Sequence, residues 1–346
     1  MAKANRNRSW KTVVLSILVV LLTLVLLLAV AAAVILDRFL GKIDRVTGTQ
    51  PTLSSSELHE LLNPTETREE SEENGSGYDS TDITMPTEPA QIIESENTIN
   101  ILLIGQDLRG GEGGRLSDAM ILCTFNKEKN TLVMTSFLRD TYVQIPGYRN
   151  NKLNVAYPIG GMELLDSTLE LNFGVRIDGN VEVDFSQFAK IVDMLGGVDI
   201  ELTEAEVVNL QYDYGFELKP GMNHLNGEEA LGYARIRRLG MDFGRTNRQR
   251  IVLMKLLEKF RNISSTQALN TLSEILEMVT TDMTDQEILA YAMEMLPALR
   301  NLQIVSQSIP VDGSYTFGHV KDRNIYDCIF IDFEMNCNVL KDTLGS

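Results

Sequence analysis

The sequence has few of the side chains on which several enzyme classes depend. Its 346 residues include only three histidines and three cysteines, and neither an HExxH nor a GxSxG motif occurs. The chain therefore lacks the residues that zinc hydrolases and enzymes with a histidine-activated nucleophile require. Three cysteines are also too few for a disulfide framework. Cys123 is interpreted as a small core residue, while Cys328 and Cys337 are compatible with a disulfide outside the cell and equally with two free thiols.

Positive charge is also scarce. The formal net charge is −17, and residues 99–346 alone carry 23 basic and 34 acidic side chains. Nucleic-acid binding depends on Lys and Arg contacts to phosphates, so such a domain would repel a nucleic-acid backbone. The composition excludes nucleic acid as a partner, and any local cluster of arginines requires a specific explanation.

One long apolar run is present near the N-terminus. Residues 12–36 contain no charged side chain, which exceeds the roughly 20 residues needed to span a bilayer core. Residues 1–11 form a short basic tail, which the positive-inside rule keeps in the cytoplasm. A cleaved signal peptide would have a much shorter apolar region. We therefore expect one uncleaved transmembrane helix, with the rest of the chain on the extracytoplasmic side of the cell membrane.

The segment 37–97 is rich in Glu, Ser, Thr and Asn and poor in large apolar residues. Such a composition buries too little surface to offset the entropy of ordering. The sequence predicts a mostly disordered acidic linker, which allows one short helix around Leu58–Leu62. Residues 98–346 are expected to form the folded domain, with its motifs in 98–262 and a helical extension over 263–346.

Strands and helices alternate through this domain. Residues 99–105 read as a buried strand, and 119–125 and 131–138 as a hairpin. Helical periodicity follows in 160–173, in a helix capped by Ser186, and in a long helix from about Arg245 to Arg261. The pattern predicts a three-layer α-β-α sandwich around a mixed, mainly antiparallel sheet, preceded by the transmembrane helix.

The first chemically distinctive segment follows the first strand and reads GQDLRGGEGGRLSD. Its carboxylates, Asp107 and Asp118, suit a hard cation such as Mg²⁺, and its guanidiniums, Arg109 and Arg115, suit phosphate oxygens. The segment is not a Walker A loop, and a flexible loop with solvated charges would have a similar composition.

A second segment places Arg139 and Asp140 at the end of a strongly apolar strand. This pair suits either anion binding or a structural ion pair. Lys152, in the sequence KLNVAY, is equally compatible with phosphate binding and with simple exposure.

The third segment is the most informative, because six arginines fall within residues 235–250 with no lysine and one acid, Asp242. Arg235 and Arg237 share a face of an extended segment. Arg245 and Gln249 share a helical face near a helix N-terminus, where anions are favoured. Arginine suits planar, two-pronged phosphate recognition. We expect a phosphate site here, with Arg250 off its face and tolerant of substitution.

Taken together, the segments resemble the LytR-CpsA-Psr family of bacterial envelope proteins. The resemblance rests on the order and spacing of seven segments across about residues 97–262: ILLIGQDLR, GGRLSDAMIL, SFLRDTYVQIPG, KLNVAY, VEVDFSQFAKIVDMLGGVDIEL, PGMNHLNGEEALGYARIR and DFGRTNRQR. It implies a phosphotransferase that moves an anionic glycopolymer, teichoic-acid-like or capsular, from a polyprenyl-pyrophosphate carrier to peptidoglycan. It also implies an apolar tunnel for the polyprenyl tail.

The resemblance assigns roles to individual residues. Asp107 and Asp118 would bind Mg²⁺ or Mn²⁺. The pyrophosphate would be bound by Arg109, Arg115, Arg139, Lys152, Arg235, Arg237, Arg245 and Gln249. The catalytic set would comprise Asp107, Arg139, Arg235, Arg237, Asp242 and Arg245, and the general base one of Asp107, Asp140 and Asp242.

Two positions depart from the family pattern. Leu116 stands where the family usually has an arginine two residues before the second aspartate, with Arg115 one position further back, and Ala119 stands where a hydroxyl residue is common. Two other functions would use the same residues, namely an envelope regulator or attenuator that binds the lipid pyrophosphate, and a pyrophosphate hydrolase.

Overall fold

The computed structural model describes residues 40–46, 53–64, 76–106, 116–262, 271, 274–295 and 297–345. The chain divides into two compact units, residues 1–43 and 44–346, and only residues 40–43 of the first are described. The predicted transmembrane helix and the loop with Asp107, Arg109 and Arg115 lie outside the described residues. Of the helices that are described, none combines the length and apolar character needed to cross a membrane.

The described strands are numbered in chain order. They are β1 (Asp44–Arg45), β2 (Ser76–Tyr78), β3 (Thr98–Gln106), β4 (Ser117–Asn126), β5 (Thr131–Phe137), β6 (Tyr142–Val143), β7 (Asn151–Lys152), β8 (Gly179–Asp184), β9 (Val198–Leu202), β10 (Gly221–Leu225), β11 (Thr280–Thr281), β12 (Gln303–Ile309), β13 (Tyr315–Val320) and β14 (Ile325–Ile331).

The helices that enter the description are numbered in the same way. They are α1 (Ser55–Leu62), α2 (Ala156–Phe173), α3 (Phe185–Met194), α4 (Glu204–Tyr214), α5 (Gly227–Ala234), α6 (Met241–Asn262), α7 (Asp285–Met295) and α8 (Phe333–Leu344).

Seven strands form the central sheet in the order β1-β11-β8-β3-β4-β5-β12. The β3–β4, β4–β5 and β8–β11 pairs are antiparallel, whereas β3–β8, β5–β12 and β1–β11 are parallel. The expected mixed sheet is confirmed, but the expectation that it is mainly antiparallel is wrong. The reason is that the chain crosses over through α2 and returns beside β3 in the same direction, and returns again after α7 beside β5.

Helices cover both faces of this sheet. On one face, Leu102 of β3 shares a core with Leu165 of α2. On the other face, Phe125 of β4 shares a core with Leu257 of α6. Successive strand residues point to opposite faces, so apolar residues in sequence along β3 and β4 supply both cores. The three-layer arrangement follows from this double burial. A separate core, which includes Ile200 of β9 and Val252 of α6, supports α3, α4 and α5.

The short helix expected around Leu58–Leu62 is present as α1, and the described parts of the linker contact the folded domain. Helix α1 begins with a capping box in which Ser54 and Glu57 satisfy each other's backbone groups. Its apolar side, which includes Leu58 and Leu61, packs on the core beneath α2. The linker thus has apolar groups at helical spacing, which its average composition conceals.

The end of the linker is also attached to the domain. The Ile93 backbone N–H donates to the Gly174 carbonyl oxygen at 2.9 Å. Gly174 ends α2 with φ of +68°, and a Cβ there would lie 2.1 Å from the carbonyl oxygen of Gln91. Glycine at this position therefore permits both the helix end and the close approach of the linker.

Two further differences concern element ends and the C-terminal extension. The N-cap of α3 is Asp184, which accepts from the backbone of Ser186 and Gln187, so the expected Ser186 cap is wrong. The extension over 263–346 is not simply helical, because β12 joins the central sheet and β13 and β14 form a hairpin. The three cysteines are free thiols in this structure.

Candidate active site

The predicted site residues approach one another where β4 begins, β5 ends and α6 begins. Asp118 is the second residue of β4, Arg139 follows β5 by two residues, and Lys152 ends β7. Asp242 and Arg245 lie in the first turns of α6. Segments more than 120 residues apart in the chain thus place their charged groups in one network.

Arg139 lies at the centre of this network. Its guanidinium forms ion pairs with Asp118, with Asp140 at 3.3 Å and with Asp242 at 3.7 Å. Burial favours the neutral form of Arg139, but the three carboxylates outweigh it and raise its pKa. Arg139 is therefore a permanent cation that holds three carboxylates together.

Lys152 closes the network on one side. Its ammonium group lies 3.0 Å from Asp140 Oδ1. Burial works to raise the pKa of Asp140, but the charges of Lys152 and Arg139 outweigh it, and the pKa of this carboxyl is lowered. Asp140 therefore stays ionised at neutral pH and positions both cations. The sequence left open whether Arg139 and Asp140 bind an anion or form a structural ion pair. The ion pair is present, and it is part of a larger network.

The first turns of α6 contribute a buried guanidinium. Arg245 Nη2 pairs with Asp242 Oδ1 at 2.8 Å and donates to the main-chain oxygen of Asp118 at 3.3 Å. Arg245 Nε and Nη1 and the side-chain oxygen of Gln249 are buried without a hydrogen-bond partner. Burial lowers the pKa of Arg245 to about 10. Unpaired buried donors are costly, so this guanidinium is suited to acceptor oxygens of a ligand.

Asp242 has the opposite environment from Asp140. Burial raises the pKa of Asp242 above its ordinary value, although Arg245 and Arg139 act against the shift. Asp242 therefore has a greater affinity for a proton than Asp140.

Arg235 and Arg237 flank the buried Ile236, as expected for residues two apart. Arg237 is 58% exposed and lies 3.6 Å from Asp118 Oδ1, so it belongs to the network. Arg235 lies over the ring of Phe185, with its guanidinium carbon 5.3 Å from the ring centre. The structure therefore brings Arg237 to the site, whereas Arg235, at the end of α5, contacts Phe185 of α3.

The other arginines of this segment have different surroundings. Arg248 is buried in an ion pair with Glu206 at 2.8 Å, and Arg238 is exposed and lies 3.3 Å from Asp213. Arg250 faces β12, where it donates to Ser308 at 2.9 Å. As predicted, it lies off the face of α6 that carries Arg245 and Gln249, but it is only 5% exposed. We therefore no longer use Arg250 as a position that tolerates substitution, because its replacement would disturb packing between α6 and the sheet.

Of the two predicted metal ligands, only Asp118 can be located, since Asp107 lies outside the described residues. Within the described ranges, no group of three or more His, Cys, Asp or Glu side chains is arranged to hold a metal. Arg139 and Arg237 both contact Oδ1 of Asp118. Carboxylate oxygens are the ligands that a hard cation prefers, so Asp118 remains compatible with the metal prediction.

A cavity of about 920 Å³ adjoins Arg139, Asp140 and Lys152. Its walls come from α1 and the residues around it, from residues 151–158, and from residues 324–327 at the start of β14. Sequence reasoning missed these walls. The only signal was the pair of asparagines, Asn151 and Asn154, on either side of Lys152.

Comparison with known proteins gives a consistent result. The LytR_cpsA_psr family model matches residues 58–326. The chain is 36% identical over 231 residues to the polyisoprenyl-teichoic acid–peptidoglycan teichoic acid transferase TagU of Bacillus cereus, covering 66% of this chain and 73% of that protein. It is 33% identical over 259 residues to the regulatory protein MsrR of Staphylococcus aureus, covering 73% and 76%.

Among solved structures, the crystal structure of B. subtilis TagV superposes with a TM-score of 0.58 at 30% identity, covering 72% of this chain and 97% of that one. The family match extends over more than half of the chain and includes every described site residue. This protein is therefore a member of the LytR-CpsA-Psr family.

Proposed function

We propose that this protein is a phosphotransferase that moves an anionic glycopolymer, teichoic-acid-like or capsular, from a polyprenyl-pyrophosphate carrier to peptidoglycan. The observation that carries the proposal is the buried, incompletely paired guanidinium of Arg245 beside Arg139 and Arg237. The name of the TagU relative, a teichoic acid transferase, supports the same chemistry.

In this proposal the guanidiniums bind the pyrophosphate. Arg245 Nε and Nη1 supply donors to phosphate oxygens, with Gln249 on the same face of α6 and Arg237 at the exposed side. Arg139 and Lys152 complete the positive surroundings. In the same proposal, Arg235, Arg109 and Arg115 would add further positive charge for the pyrophosphate. Phosphoryl transfer depends mainly on positioning and charge stabilisation, which such a cluster provides.

The reaction replaces one phosphorus–oxygen bond by another. A hydroxyl of the acceptor glycan attacks the phosphorus that carries the glycopolymer, its proton passes to a carboxylate, and polyprenyl phosphate leaves with the bridging oxygen. Asp242 is a better proton acceptor than Asp140, because burial raises the pKa of Asp242, whereas Lys152 and Arg139 hold Asp140 ionised. Asp118, with Asp107, would hold Mg²⁺ or Mn²⁺, which would supply further neutralisation of phosphate charge.

A regulator that binds the lipid pyrophosphate is the second candidate, and the name of the MsrR relative favours it. A hydrolase is the third. Full-length protein given a synthetic polyprenyl-pyrophosphate glycan, with and without peptidoglycan oligomers, separates the three. We expect release of polyprenyl phosphate and a phosphodiester-linked product only with acceptor. Equal release without acceptor indicates a hydrolase, and binding without release indicates a regulator.

We also propose that residues 12–36 anchor the protein in the cell membrane with the domain outside, on the evidence of the basic residues before that run. A polyprenyl-linked substrate presented at the outer surface fits this location.

A further inference from the structure

The cavity beside Arg139 has a lining that differs from that of a phosphate site. Its only cationic lining residues within the described chain are Arg139 and Lys152, and both are paired with Asp140. Away from that corner the wall includes the carboxylates of Glu60 and Asp327. An anionic polymer would be repelled by this wall, whereas an uncharged molecule with many hydroxyl groups would find acceptors there.

One acceptor in the wall lacks a partner. Asn154 lines the cavity, is only 3% exposed, and its side-chain oxygen has no hydrogen-bond partner. Its main-chain N–H donates to the carbonyl oxygen of Arg139 at 3.1 Å, which fixes it next to the phosphate-binding arginines. Buried amide oxygens are normally paired, so this atom is suited to a hydroxyl donor from a ligand.

Another part of the lining combines an aromatic residue with apolar groups. Tyr326 lines the cavity, and its ring stacks on His319 at 5.5 Å between centres, with planes 14° apart. Leu61 and Ile325 contribute apolar surface nearby. Carboxylate and amide acceptors together with an aromatic face match a sugar ring, whose rim carries hydroxyls and whose faces carry C–H groups.

The wall is held in place by both ends of the domain. Asn324 Nδ2 donates to the carbonyl oxygen of Pro64, just after α1, at 3.1 Å. The main chain of Ile329 donates to the carbonyl oxygen of Asp140 at 2.9 Å. Asn324 and Asp327, both lining residues, have φ of +52° and +55°. Asn and Asp adopt this left-handed conformation more readily than other residues with a side chain, which lets the chain turn at these two positions.

We propose that this cavity binds an uncharged sugar unit of the acceptor glycan, with helix α1 as one wall, and presents its hydroxyl to the phosphate site. This inference rests on the proposed transfer reaction. The acceptor is favoured over the donor because the donor carries an anionic polymer, which the exposed carboxylate of Glu60 on α1 disfavours. Helix α1, which the sequence placed in a linker, thereby becomes a determinant of acceptor specificity.

The test uses full-length protein in detergent, with a synthetic polyprenyl-pyrophosphate glycan as donor and soluble peptidoglycan oligomers as acceptor. We expect Tyr326→Ala to raise the KM for acceptor about tenfold, with the KM for donor unchanged. Tyr326→Phe keeps the ring and should stay within about twofold. Tyr212→Ala, an exposed tyrosine on α4, is the matched control and should behave like wild type.

Glu60→Lys distinguishes the two substrates. If the cavity binds neutral acceptor sugars, this change leaves the KM for donor unchanged and raises the KM for acceptor. A lower KM for donor would mean that the cavity holds the anionic polymer and would overturn the proposal, as would an unchanged acceptor KM in Tyr326→Ala. Failure of the wild-type protein to transfer would instead refute the proposed function, before any variant is compared.

Discussion

Arg245 Nη2 donates a hydrogen bond of 3.3 Å to the main-chain oxygen of Asp118, joining the start of α6 to the start of β4. The same Nη2 pairs with Asp242, so one nitrogen of this guanidinium serves the protein, while Nε and Nη1 have no partner. A guanidinium fixed through one nitrogen and unsatisfied through the other two is preorganised for a ligand with several acceptor oxygens.

We therefore expect Arg245→Ala to reduce polyprenyl-pyrophosphate binding or transfer about ten- to a hundredfold, since charge-assisted hydrogen bonds contribute about 1.5–3 kcal/mol each. Arg245→Lys should recover little, because lysine lacks the planar fork. Arg238→Ala is the matched control, since Arg238 is exposed and pairs with Asp213 outside the site. Titration calorimetry at two salt concentrations measures the effect. A lysine variant that binds like wild type would contradict the shared phosphate site.

Asp118→Asn is expected to raise the Mg²⁺ concentration needed for half-maximal transfer by about tenfold or more, because a neutral amide is a weaker ligand for a hard cation. Arg139 retains Asp140 and Asp242 as partners, so the melting temperature in metal-free buffer should change by only about 2 °C. Asp213→Asn, outside the site, serves as control. Wild-type metal dependence in Asp118→Asn would place the metal elsewhere.

Asp166 gives a pH dependence of stability. Burial raises the pKa of Asp166 to about 7, with the charges of Asp282 and Glu163 adding to the shift and a hydrogen bond from Asn180 opposing it. The native state thus holds a proton that the unfolded chain releases near pH 4. This contribution is fully present below about pH 4 and is lost as the pH rises from about 4 to about 7, at up to about 1.4 kcal/mol per pH unit.

Denaturant unfolding of wild type and Asp166→Asn between pH 4 and 8 measures this contribution. We expect the free energy of unfolding of the variant to depend less steeply on pH than that of wild type over that range, because the amide cannot ionise. Parallel curves for the two proteins would show that Asp166 does not titrate in the native state.

The described parts of the linker should be protected from hydrogen exchange. The amides of Leu58 and Asn63 donate within α1, and that of Ile93 donates to Gly174. Ser54→Ala removes the N-cap and should lower the stability of α1 by about 1 kcal/mol, visible as faster exchange in residues 57–62. Exchange at random-coil rates in the wild-type protein would show that these residues belong to a disordered linker, as the sequence predicted.

The topology is tested by adding protease to intact protoplasts. With the basic tail inside, we expect removal of the domain beyond residue 45, because the apolar run is long enough to span the bilayer. A fully protected domain would contradict the proposed location.

The central strands could be predicted because β3, β4 and β5 are long apolar runs separated by clear turn residues. Helix α4 and the β13–β14 hairpin could not, because their buried residues are few and alternate with exposed ones such as Val208 and Phe317. Strand direction was misjudged for a different reason. Parallel pairing depends on where a crossover returns, and no local pattern records it.

At the site, residue type and spacing identified the arginine cluster but not the role of each member. Arg245, Arg248 and Arg250 lie on one helix and all are buried. Their surroundings differ. Arg248 is paired with Glu206 of α4, and Arg250 donates to Ser308 of β12. Arg245 instead contacts the carboxylate of Asp242 at the candidate site. Those partners come from distant segments, so only the tertiary structure assigns them.

The hydrogen bond from Asn324 to Pro64 joins residues 260 positions apart in the chain. Synthesis proceeds from the N-terminus, so Pro64 is made long before Asn324 exists. A growing chain can form α1 early, but the cavity wall closes only when the final hairpin has been made and has reached the same compartment. Completion of the wall is thereby coupled to synthesis of this hairpin, and truncated products that retain every arginine of the candidate site still lack the wall.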